Sequence, residues 1–72
     1  MQIETLIKMA NQIGDFFEAE PNRVQAELDI ATHLNKFWAL AMRQEIAAHV
    51  KDKQGAGLHQ RVIAAISSHI QV

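Results

Sequence analysis

Apolar residues recur at intervals of three and four from the start of the chain: Ile3, Leu6, Ile7, Ala10, Ile13, Phe16 and Phe17, with Met9 one step to the side. That spacing gathers them on one face of a helix, and predicts a helix over residues 3–19. Gly14 falls inside the pattern, where it costs ~1 kcal/mol relative to alanine. The spacing reads it as a place where a second helix comes close.

The pattern resumes at Pro21. Either Pro21 is the first helical residue behind Glu20, or Asn22 caps the helix and Gln25 returns the bond in a capping box. No glycine or proline then interrupts the chain until Gly55. The expectation is one helix running to Lys53, on the order of 45 Å at the α-helical rise. Advancing about 100° per residue from Val24, the residues Leu28, Ala31, Leu34, Trp38, Met42 and Ile46 form one stripe, the expected core face. Val50 lies at one edge of it, and Ile30 and Ala41 at the other. Glu27 and Glu45 point into the same arc, which places them partly exposed at a seam between helices or, as the alternative, against an arginine or lysine of a partner, since burial without partners is too costly.

After the Gly55/Gly57 pair a third pattern begins. Leu58, Val62, Ile66 and Ile70 make a stripe over residues 59–70, with Ala65 and His69 beside it. Leu58 and Ile63 have the separation of a hydrophobic staple around a cap at His59. None of the three segments alternates with a period of two. The pattern therefore predicts an all-α fold: one domain over residues 1–72, a small three-helix bundle with a long central helix, straight or bent near residues 39–41.

The central helix carries more apolar side chains than one face can hold. Trp38 is in the middle of the stripe and is expected to be buried. Phe37 lies at its far edge, and Leu40 outside it among Gln25, Asp29, His33, Lys36, Arg43, Gln44 and Lys51. In a continuous helix Phe37 and Leu40 are neighbours, an apolar patch bordered by Lys36 and Arg43. Another segment of the same chain covers that patch, or a partner does; aromatic and arginine side chains suit a protein contact. Lys36, Phe37, Leu40 and Arg43 are thus the candidate partner-binding residues, with Leu40 expected to be exposed.

Length sharpens the point. With 72 residues, the chain is near the lower limit for a self-sufficient core. It has no cysteine to staple it. Seven basic and eight acidic residues are scattered, for a net charge of −1. Nucleic-acid binding needs a basic face to neutralise phosphates, and no such face is present. No signal peptide and no membrane span are read from the sequence, so a soluble, cytoplasmic protein is expected.

Reactive chemistry is sparse. Thr5, Thr32, Ser67 and Ser68 carry the only side-chain hydroxyls, and there is no tyrosine. No nucleophile elbow, phosphate loop, zinc helix or calcium loop occurs. Of the four histidines, His33, His49, His59 and His69, no two stand three or four apart. His49 and His59 are placed to meet where the second and third helices join, without an evident third ligand. His59 is read as the cap of the last helix and His33 as solvated. The expectation is no enzyme, no cofactor and no metal.

Four stretches carry a family resemblance: MANQIGDFFEAEP (Met9–Pro21), IATHLNKFW (Ile30–Trp38), MR (Met42 and Arg43) and GAGLHQRVIAAI (Gly55–Ile66). In order and spacing the chain resembles the delta subunit of NAD-dependent formate dehydrogenase. The resemblance implies a small, cofactor-free accessory subunit of a cytoplasmic molybdenum- or tungsten-containing complex. Its larger subunits would carry the pterin, iron–sulfur and flavin groups. The implied roles are assembly, stability or support of cofactor maturation. The chain departs from the family pattern at Leu40 and Ala41, where proline and arginine are typical, and at Gln60, where the pattern suggests proline. A proline at position 40 would kink or break a helix, so leucine there predicts a straighter one. If the family arginine docks the subunit, Ala41 points to a divergent relative with another partner. The alternative is a self-associating module, a homodimer of long helices seamed at Phe37 and Leu40.

Overall fold

The computed structural model describes residues 2–72. Four helices follow one another: α1 (Ile3–Phe16), α2 (Arg23–Phe37), α3 (Leu40–Lys53) and α4 (Gln60–His69). Among the described residues there is no strand. The all-helical reading holds, but the three-helix bundle with one long central helix does not: the expected rod is two helices, α2 and α3.

The break is short. Trp38 (φ −86°, ψ 138°) and Ala39 (φ −60°, ψ 152°) are extended, and helix resumes at Leu40. Without a glycine or proline here, the cause is tertiary. A straight helix over these residues would be about 45 Å long, whereas the folded chain measures only 31 × 22 × 18 Å. A rod would leave one half of its apolar residues beyond the reach of α1 and α4. Folding back lets both halves share one core, in which Trp38 is 7% exposed and Ile46 fully buried. The break overlaps the span expected from the sequence at Ala39, and Leu40 does not straighten it.

With the rod divided, α2 and α3 no longer share one phase, and the expected stripe is wrong at its start. Val24 is 65% exposed and Leu28 also faces outward. Ala26, Ile30, Ala31 and Leu34 are the buried face of α2. Fitting a single angle through two differently oriented helices placed the arc between their true faces. On α3, Ile46 is the buried residue, with Met42, Ala47 and Val50 packed partly against the core. Glu45 is exposed; Glu27 is half-buried and lies 4.0 Å from Arg23.

α1 buries Leu6, Ala10 and Gly14, four residues apart each time. Gly14 is a close-approach point as expected: a Cβ there would lie 2.5 Å from Cγ2 of Val62 on α4. Phe16, read from periodicity as a core residue, is 78% exposed. At the end of α1 it points about 120° away from the face that carries Leu6, Ala10 and Gly14.

Asn22 caps α2, its Oδ1 accepting the Gln25 N–H at 3.0 Å. The box is not closed, because the Gln25 side chain donates to Asp29 instead, at 2.7 Å. α3 ends through left-handed Gln54 (φ 53°) and Gly55 (φ 69°). Gly55 is buried, and a Cβ on it would meet Ile63 at 2.8 Å and Leu58 at 3.6 Å, so the two staple residues close over this turn. The α4 stripe is as expected: Leu58, Val62, Ala65 and Ile66 are buried and Ile70 packs partly against them.

Two asparagines hold α4 at its ends. Asn11 of α1 accepts the His59 N–H at 2.8 Å and donates to the Gly57 carbonyl at 2.9 Å. It supplies the cap expected from His59, whose side chain makes no capping bond and lies 3.2 Å from Asp15 instead. Asn35 of α2 donates to the His69 carbonyl at 3.0 Å and accepts the Gln71 N–H at 2.8 Å. The accessible surface is 4538 Å², close to the ~4,500 Å² that the mass scaling gives for a folded monomer of this size.

Candidate partner-binding surface

The four residues singled out from the sequence sit around the α2–α3 break. Lys36 and Phe37 end α2, Leu40 opens α3, and Arg43 lies in the first turn of α3. Phe37 is 66% and Leu40 48% exposed. Their adjacency was argued from a continuous helix, and the extended pair Trp38–Ala39 removes that argument.

Arg43 is turned inward. Its guanidinium donates to the Asn35 carbonyl at 2.6 Å. That carbonyl lies in the last turn of α2, where helix ends leave acceptors unpaired and favour positive charge. Arg43 thus caps α2 from the next helix. Its Nε is buried without a protein partner.

Phe37 instead joins a row of rings. Its centroid is 4.8 Å from that of His33 on the previous turn, tilted by 46°. His33 lies 6.5 Å from Phe17, and Phe17 stands edge-on to Phe16 at 5.0 Å. The Lys36 ammonium sits 5.8 Å from the Phe37 centroid and closes the row. Such offset and edge-on contacts are favourable for aromatic pairs, and the cation over the ring adds a modest attraction. A shallow concavity of about 230 Å³ runs beside them, lined by Phe17, Asp29, Thr32, His33, Lys36 and Phe37.

Of this row, only Phe37 and Lys36 are singled out by the sequence. Helical spacing places Phe16 and Phe17 on one face, which holds for Phe17, packed partly against the core, and fails for the exposed Phe16; His33, expected to be solvated, is half-buried. A signal was present: consecutive residues on a helix diverge by about 100°, so one narrow face cannot take both phenylalanines.

Elsewhere several polar groups are engaged within the chain. The His49 Nε2–H donates to the Ala56 carbonyl at 2.7 Å, and His59 faces Asp15, so these two histidines have separate partners. Arg61 donates to the carbonyls of Glu20 at 3.2 Å and Glu18 at 3.5 Å, holding the α1–α2 connection against α4. Among the described residues, no three His, Asp or Glu side chains converge as a metal site requires, and no helix is long and apolar enough to cross a membrane.

A family model described as the NADH-dependent formate dehydrogenase delta subunit FdsD matches residues 5–66. The match takes in the whole aromatic row, both clamping asparagines and the α2–α3 break. No curated protein and no solved structure matches the chain.

Proposed function

The chain belongs to the formate dehydrogenase delta-subunit family, and from that premise we propose that it is a non-catalytic accessory subunit. It binds the larger subunits of a cytoplasmic formate dehydrogenase by protein–protein contact and serves their assembly, stability or cofactor maturation. The observation that supports this reading is the row of rings in which Phe16 and Phe37 are exposed and Phe17 and His33 half-buried between them, with Lys36 at its end. Large aromatic side chains left in water on so small a protein mark a contact surface, and aromatic anchors carry much of the energy of protein interfaces. Leu40, exposed at the start of α3, is assigned to the same docking surface. Arg43 contributes indirectly, by holding the end of α2 that carries Phe37.

The test is recovery of the large formate dehydrogenase subunits, identified by mass spectrometry, with the tagged full chain from its own cells. Phe16→Asp with Phe37→Asp replaces two exposed side chains, so unfolding free energy should change by no more than about 1 kcal/mol. Recovery of the complex should fall by more than about tenfold. Failure of the unaltered chain to recover any of these subunits sinks the proposal. Undiminished recovery by the double variant moves the contact to another face.

A further inference from the structure

The α2–α3 joint is unusual in what holds it. The run Leu34–Arg43 contains no glycine, no proline and no β-branched residue, so each residue in it favours or tolerates helix. Only Trp38 and Ala39 depart from helical backbone. α3 opens on Ala39, among the poorest capping residues, and no side chain caps it. Its first N–H groups would find partners if the helix continued, because the carbonyls of Asn35 to Trp38 would accept them.

Most of what else binds the molecule together crosses between its two halves, α1–α2 and α3–α4. The principal packing is α2 on α4, and α1 on α3 also crosses between the halves; α3 on α4 lies within one half, and α2 against α3 is the smallest helix–helix contact. Asn11 and Asn35 reach from the first half to the ends of α4. Gly14 seats Val62, and Arg61 holds the carbonyls of Glu18 and Glu20. A second copy can supply each of these contacts with unchanged geometry. The bond from Arg43 to the Asn35 carbonyl is specific to the folded-back joint, and in a continuous helix that carbonyl takes the Ala39 N–H instead.

We propose that the chain forms a domain-swapped homodimer. In it α2 and α3 fuse into one helix from Arg23 to Lys53, and each copy's α1–α2 half packs against the α3–α4 half of the other. Exchange of identical elements across a short connection is a low-cost route to a dimer, and here the closed and exchanged forms differ at two backbone residues and one small contact. The aromatic row lies wholly in the α1–α2 half, so the exchanged dimer displays it twice. This inference is independent of which enzyme the subunit serves.

The two forms differ in one distance. The closed chain spans at most 31 Å, whereas a continuous helix puts residues 23 and 53 about 45 Å apart. The full chain has no cysteine, so Arg23→Cys/Lys53→Cys provides two exposed sites for spin labels. The labelled chain is refolded at high concentration with excess unlabelled chain, so that only distances within one chain are read, and monomer and dimer are separated by size exclusion. The expected result is a dimer fraction with the labels about 45 Å apart and a monomer fraction below about 30 Å. Leu40→Pro fits the closed joint but not a continuous helix, and should lower the dimer fraction at least about tenfold. No dimer at any concentration, a dimer with the monomer's distance, or a folded Leu40→Pro chain that dimerises as before would each overturn the proposal. The distance measurement decides the matter even if the proline variant does not fold.

Discussion

The molecule turns between consecutive helices at two places that look alike in outline and differ in cause. At the α3–α4 turn the chain passes through Gln54, Gly55 and Gly57, all at positive φ. Two of the three are the residue type that adopts such angles at little cost, and the turn is written into the local sequence. At the α2–α3 turn the backbone is merely extended, through Trp38 and Ala39. Nothing local asks for it. It exists because turning there buries Trp38 and brings Ile46 into the same core as Leu34. One turn is specified by backbone chemistry, the other by what lies on either side of it.

The comparison breaks most sharply if Trp38 is removed. Trp38→Ala takes away the buried side chain that anchors the α2–α3 turn, and should cost about 3–5 kcal/mol. For a chain of this size that is a large part of the total stability. Urea denaturation would measure it; a loss below 1 kcal/mol would mean that burial of Trp38 does not hold the turn.

Gly55→Ala attacks the other turn by a different route. It forces a side chain to φ 69° and against Ile63 at 2.8 Å. The expected loss is about 1–2 kcal/mol, seen as a lower urea midpoint with an unchanged slope.

The smallest expected effect is the most discriminating. Leu40 is the first residue of α3 and follows an extended alanine. Proline suits that position, because its missing N–H is one that the helix leaves free and the residue before it is already extended. Leu40→Pro should change stability by less than about 1 kcal/mol, in the stabilising direction. In a continuous helix the same substitution would cost ~3 kcal/mol.

The same contrast explains how much could be read from the sequence. Helix content, the Asn22 cap, the stop at Gly55, the close approach at Gly14 and the α4 stripe all follow from local chemistry or simple periodicity, and all are present. So are the burial of Trp38 and the exposure of Phe37 and Leu40. What stayed hidden depends on residues far apart in the chain. The α2–α3 break is one case, and the rotation of α2 that buries Ile30 and exposes Val24 follows from it. Asn11 and Asn35 look like ordinary surface residues until the ends of α4 arrive beside them, 48 and 34 residues away at His59 and His69. The aromatic row joins two helices in the same manner. Its members could be recognised singly as surplus apolar side chains, but not as neighbours.

The central claim is that tertiary burial, not local preference, turns the chain at Trp38 and Ala39. Cα chemical shifts of these two residues, compared between the folded full chain and the excised 23–53 segment in a helix-promoting solvent, test it most directly. The account predicts extended values at both positions in the monomeric full chain and helical values running through both in the segment. Extended values in the segment as well, or helical values in the folded monomer, would contradict it.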